Sequence, residues 1–155
     1  MKILHIIPSL DKGGAERLTL DIVRSLKDIP HVEVALVIFR NQNNYSFLTD
    51  EIDFKVIPSF YIPSLKGRAK KDIQDLQHYI DSYNPDIIHS HLFETEVVLS
   101  QVKLSKGIKR VVHFHDNMNQ LKKINLKSIH NKTTLTNYYE RKIVLKSWSK
   151  NHTQT

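Results

Sequence analysis

The chain contains no cysteine, which excludes a disulfide framework and any cysteine-ligated zinc centre and leaves nothing that points to an oxidising compartment. Glycine and proline are sparse, at four and five in 155 residues, so collagen-like and low-complexity compositions are excluded as well. Long hydrophobic runs are missing. The stretch Met1 to Leu10 is interrupted at Pro8 and is too short for a signal-peptide core or a membrane span. A cytoplasmic location is the expectation, peripheral to the inner face of a membrane at most.

Negative charge is also in short supply, with 16 acidic against 23 basic residues and a formal net charge of +7. Such an excess attracts anionic partners: nucleic acid, phospholipid headgroups or phosphorylated substrates. No nucleic-acid recognition module is present, nor basic residues interleaved with aromatics, so no nucleic-acid partner is expected. Two basic groups remain, Lys66, Arg68, Lys70 and Lys71, then Lys122, Lys123, Lys127 and Lys132, with Leu65, Leu121, Ile124 and Leu126 among them. That mixture suits reversible, salt-sensitive contact with an anionic membrane surface.

What is present is the composition of one globular domain, 40% hydrophobic and 25% charged. A chain of this length buries about 70% of its unfolded surface. Hydrophobic spacing predicts strands at Lys2 to Ile7, His31 to Phe39, Asp53 to Ile57, Asp86 to His89 and Lys109 to Phe114. It predicts helices over Ala15 to Leu26, Ser64 to Tyr83, about Thr95 to Leu104, and roughly Thr133 to Lys146. The first helix should bury Leu18, Ile22, Val23 and Leu26; the second, Leu65, Ile73, Leu76, Ile80 and Tyr83. Strands alternating with helices imply an α/β fold, a Rossmann-like, doubly wound and mostly parallel sheet with right-handed crossovers. Residues 1–147 form that domain, and 148–155 read as a frayed polar tail.

In such a sheet, ligands bind beyond the carboxyl ends of the strands, which directs attention to the loops Pro8 to Gly14, Ser90 to Glu96 and His115 to Gln120. Gly13 and Gly14 open a helix, where bare backbone amides suit a phosphate or pyrophosphate; alternatively they supply turn conformation alone. The dinucleotide fingerprint Gly-x-Gly-x-x-Gly is absent, which disfavours a nicotinamide enzyme. Glu16 suits the helix macrodipole, and Arg17 meets a phosphate or is simply solvated.

The runs His89-Ser90-His91 and His113-Phe114-His115-Asp116 are more distinctive. Period-two alternation sends His89 and His91 to one side, and His113 and His115 likewise. His89 and His113 are expected to be satisfied histidines at the edge of the core. His91 and His115, the later members, are the candidates to donate hydrogen bonds to sugar hydroxyls or phosphate oxygens, with Asp116 placed to orient His115. Glu94 and Glu96 either complement a helix start or bind acceptor hydroxyls. No His-Glu-x-x-His pattern accompanies the histidines, so no metal is expected. A Ser/His/Asp nucleophile signature is also missing.

Three blocks carry a resemblance: Met1-Lys2-Ile3-Leu4-His5-Ile6-Ile7-Pro8-Ser9-Leu10 followed by Gly13-Gly14-Ala15-Glu16-Arg17, then Pro85-Asp86-Ile87-Ile88-His89-Ser90-His91, then Val111-Val112-His113-Phe114-His115-Asp116-Asn117. In that order they resemble the N-terminal half of glycosyltransferase family four, the retaining GT-B enzymes of bacterial polysaccharide and glycolipid synthesis. The resemblance implies two Rossmann-like domains with an active site between them. The N-terminal one chiefly binds the acceptor; the other binds a nucleotide-sugar, which is a substrate, so no cofactor is expected. It further implies that Gly13 and Gly14 lie near the donor diphosphate or acceptor and that His115, the candidate catalytic residue, lies near the transferred sugar. His91, Glu94, Arg17 and Asp116 would then serve a saccharide or lipid-linked acceptor. The donor-domain pair of glutamates is not found within these residues, so the expected partner is a donor-domain half, in cis or in trans. Without it the chain is expected to be inactive, a non-catalytic saccharide-binding module or a truncated remnant.

Overall fold

The computed structural model describes residues 1–62, 69–115 and 140–149. The elements run β1 (Lys2–Ile7), α1 (Gly14–Lys27), β2 (Glu33–Ile38), α2 (Ser46–Thr49), β3 (Phe54–Val56), β4 (Phe60–Ile62), β5 (Lys70–Asp72), α3 (Gln74–Tyr83), β6 (Ile87–His91), α4 (Phe93–Leu99) and β7 (Lys109–His113). Residues 140–149 are helical. Five strands form one sheet in the order β3-β2-β1-β6-β7, and every pairing in it is parallel. This is the Rossmann-like α/β architecture that alternating strands and helices imply.

The sheet is covered on both faces, as a parallel sheet must be. Leu4 and Ile6 of β1 pack with Val37, Ile88, Leu76, Ile80, Val98 and Leu99 on one side. Ile7, one position out of phase, joins Leu36, Ile38 and the α1 residues Leu20 and Val23 on the other. Strand β1, at the centre of the sheet, is the most buried of its strands. Its order also reverses here: the chain runs outward to β2 and β3, then returns to place β6 on the opposite edge of β1. The crevice at such a switch point is where open α/β sheets bind ligands.

Several expectations need correction. The helix expected over Ser64 to Tyr83 begins only at Gln74, and Lys70–Asp72 instead pair antiparallel with Phe60–Ile62. Three consecutive charged residues carry no apolar stripe, and their ladder partner lies in a segment that periodicity treats as loop. Helix α1 has the expected extent, but it buries Ala15, Thr19, Leu20 and Val23 and leaves Leu18 39% exposed. Strand β6 continues two residues past His89, and α4 starts at Phe93 and stops at Leu99. The supposed tail also starts too early, since Trp148 and Ser149 continue the last helix. The Trp148 indole packs against Phe114 with ring centroids 5.8 Å apart. The loop expected from His115 to Lys132, the start of the last helix, and Lys66 and Arg68 lie largely or wholly outside the described residues. No described helix is long and apolar enough to cross a membrane.

Candidate functional site

The loop after β1 is built to hold the start of α1 open. Leu10 bridges to Asn43, its amide donating to Gln42 O at 2.9 Å and its carbonyl accepting from Asn44 N at 2.8 Å. The Tyr45 hydroxyl donates to Gly13 O at 2.8 Å and accepts from Gly13 N at 3.1 Å. Thus the segment after β2 clamps the glycine turn. Gly13 has φ −170°, and among described glycines only Gly107 has a positive φ. Conformation therefore does not explain Gly13 or Gly14. The difference lies in space: a Cβ on Gly14 would meet nothing within 4 Å, whereas one on Gly13 would fall where the Glu16 carboxylate lies. Glu16, in the first helical turn, thus places its charge over the positive helix end, and an anion arriving there would take the place of that carboxylate. Arg17 is half-exposed and paired with Asp21 at 3.0 Å.

At the carboxyl ends of β6 and β7 the histidines converge. His5 and His89 are register partners across β1 and β6, as are His91 and His113 across β6 and β7. Alternation adds the rest, so five imidazoles line one face of three adjacent strands. Neighbouring rings within a strand approach closely, 4.2 Å for His89 and His91 and 4.1 Å for His113 and His115 between centroids. Those two pairs are legible in the sequence; His5, which sits on β1 more than eighty residues earlier and completes the row, is not. Its only sequence signal was a polar residue inside an otherwise apolar strand.

Burial divides this row. His5 and His91 have no exposed surface, and His5 Nδ1 lies 3.1 Å from His91 Nε2. Burial, with the charge of His89 adding to it, lowers the His5 pKa to about 3. Burial and the surrounding imidazoles lower that of His91 to about 2. Both rings are neutral at physiological pH. His89 and His115 are lowered as well, by burial first and then by neighbouring histidines. His89, His113 and His115 are partly exposed. His91, expected to face an acceptor, lies inside the strand rather than in the loop, and its neighbours enclose it. His115 holds the more accessible position. Asp116 lies outside the described residues.

The turn between β6 and α4 is a single residue, Leu92, with φ 68° and ψ 154°. A leucine rarely adopts this conformation, which stores about 1–3 kcal/mol of strain. Its amide donates to His113 O at 3.1 Å, tying the strand end to its neighbour. Beyond it, Glu94 and Glu96 separate sharply. Glu94 is half-exposed and forms a bidentate pair with Arg40, at 2.5 and 3.1 Å. Glu96 has no exposure; it accepts from Ser90 Oγ at 2.5 Å, Arg110 Nη2 at 2.8 Å and Trp148 Nε1 at 2.8 Å. The sequence alone does not distinguish the two glutamates. Only Glu94 keeps a carboxylate in reach of a ligand, and Glu96 is a buried joint between β6, β7 and the last helix.

The site is thus a strip along the carboxyl edge of the sheet, with the open helix start at Gly14 on one flank, His115 on the other and Glu94 beyond β6. A family model described as Glycosyltransferase Family 4 matches residues 12–151. No curated protein matches the chain. The match takes in β2, β3, β6 and β7 of the parallel sheet, with β1 just ahead of it: the chain belongs to glycosyltransferase family 4, and its role is glycosyltransferase-like.

Proposed function

We propose that the chain is the acceptor-side half of a nucleotide-sugar-dependent glycosyltransferase acting in polysaccharide or glycolipid synthesis, and that transfer takes place only when a donor-binding half joins it, in cis or in trans. The observation that carries this reading is the strip at the β1/β6 switch point. There, Gly14, whose conformation does not require glycine, leaves open space at the start of α1 beside the Glu16 carboxylate, and the neighbouring strand ends bear the histidines. Gly13 and Gly14 let a diphosphate approach the amides of α1. His115, only partly buried and with its pKa lowered first by burial, hydrogen-bonds the transferred sugar. Arg17, Glu94 and Asp116 meet the acceptor. A positioned donor at the reacting sugar contributes through orientation and charge stabilisation.

The test is co-expression of this chain with a donor-binding half, followed by measurement of sugar transfer from a nucleotide-sugar. His115→Ala is expected to slow transfer by about a hundredfold or more, the scale of losing a positioned donor. An unchanged rate in that variant refutes the assigned role.

A peripheral membrane contact fits the β4–β5 hairpin. Phe60 and Ile62 are 43% and 54% exposed beside the exposed Lys70 and Lys71, and each near-surface cation contributes about 1 kcal/mol on an anionic leaflet. Co-sedimentation with anionic vesicles should be lost at high salt, while vesicle binding that ignores salt, or none at all, removes this part of the reading.

A further inference from the structure

We propose that His91, His113 and His115 form a binding site for a divalent cation of the zinc class, with three imidazole ligands and a fourth position left to water. Each ring offers one nitrogen, and these atoms all lie within 4.8 Å of one another. Nitrogens on a tetrahedral zinc with bonds of about 2.0–2.1 Å stand about 3.4 Å apart. Closing from the widest allowed triangle asks each nitrogen to move inward by about 0.8 Å or less, within reach of small imidazole rotations. The ligands sit on rigid ground, since His91 and His113 are register partners in adjacent parallel strands and His115 follows two residues on.

Two further observations point the same way. His91 Nδ1 and His115 Nε2 are buried nitrogens without a hydrogen-bond partner among the described residues, and buried polar atoms ordinarily have one. A shared cation would give both a partner. The remaining nitrogen of His91, Nε2, lies 3.1 Å from His5 Nδ1. With Nε2 donating that bond, the lone pair of His91 is left on Nδ1, and His5 takes the outer-shell place that an acceptor usually holds behind a metal-ligating histidine. His5 thereby becomes a positioning residue. A second triad, His5, His89 and His91, has the same spacing and could engage His5 Nε2, also buried without a partner among the described residues, but it would break the His5–His91 bond and leave His115 Nε2 unpartnered.

The donor set selects the ion. Three imidazoles with no carboxylate or thiolate among them suit zinc, and also cobalt, nickel or copper, over magnesium or calcium, which require oxygen ligands. If His115 serves the transferred sugar, a bound cation fixes its ring in place and lowers transfer; that consequence alone rests on the function proposed above.

Equilibrium dialysis of the chelator-treated full chain against Zn²⁺, with Co²⁺ absorption as a second probe, tests the site. The expected result is one cation per chain and visible Co²⁺ bands of tetrahedral intensity. Binding should weaken by about tenfold or more in His115→Ala and in His113→Ala, with circular dichroism confirming the fold, and stay unchanged in the exposed His78→Ala. Absence of stoichiometric binding in the unmodified chain overturns the proposal. So does binding that neither variant weakens. Because the readout is metal content, the outcome does not depend on whether the chain serves sugar transfer. Zinc-loaded protein that still transfers sugar at full rate, once joined to a donor half, would refute only the inhibitory consequence.

Discussion

Replacing Arg110 by alanine should destabilise the domain more than any change at its exposed ion pairs. Arg110 donates to Glu96 Oε2 at 2.8 Å, with the arginine side chain 10% exposed and the glutamate 0%. Removing the guanidinium leaves a carboxylate enclosed by protein, with the neutral Ser90 hydroxyl and Trp148 indole as its only side-chain donors among the described residues. Stranding one partner of a buried ion pair costs about 3–5 kcal/mol. That is a large share of the about 5–15 kcal/mol that holds a domain folded, and for a domain near this size it lowers Tm by about 6–20 °C. Glu96→Gln in the Arg110→Ala background removes the stranded charge and should recover part of the loss, because the amide oxygen still accepts from Trp148 while the amide nitrogen can donate to the Ser90 hydroxyl. Urea unfolding followed by tryptophan fluorescence is well matched to this experiment, since Trp148 is the one tryptophan of the chain and touches Glu96. A loss below about 1 kcal/mol for Arg110→Ala, the scale of an exposed pair, would refute the reasoning. A double variant less stable than Arg110→Ala would refute it equally.

Chelator-treated protein should lose stability as pH falls below about 6.5. His5 and His91 have folded-state pKa values of about 3 and about 2 against 6.5 unfolded, so the unfolded chain binds more protons, and at pH 5.5 each histidine removes about 1.4 kcal/mol. A flat stability profile between pH 7 and 5, measured by urea titration at each pH, would contradict their burial as neutral rings. Gly14→Ala should change folding stability by less than about 1 kcal/mol, because its Cβ enters open space. The same variant should reduce transfer in the completed enzyme if a diphosphate must approach that backbone; equal kcat/KM would sink the close-approach role. Glu94→Ala, which breaks an exposed pair with Arg40, should cost less than about 1 kcal/mol in thermal unfolding. An acceptor KM that stays unchanged in the same variant would remove Glu94 from the acceptor site.

The sequence by itself determined the alternation of strands and helices, the parallel sheet it implies, and the strand-end positions of the glycine pair and both histidine pairs. These follow from local rules: apolar periodicity sets the elements, and alternation along a strand sets which side chains share a face. The three resembling blocks likewise identify the family that the residue 12–151 match shows. Tertiary structure decided whatever depends on partners distant in the chain. Lys70–Asp72 form a strand only because Phe60–Ile62 offer a ladder, which no local pattern encodes. Glu94 and Glu96 are alike as text. They diverge because the helix turn sends one toward Arg40 at the surface and the other toward Arg110 and Trp148 in the interior. His91 reads as a loop ligand until pairing with His113 extends β6 and encloses it. His5 joins the imidazole row solely through its register with His89, and Tyr45 clamps Gly13 across thirty-two residues. Burial and register arise from contacts summed over the whole chain, so they fix charge state, exposure and possible ligand sets only after the sheet has assembled.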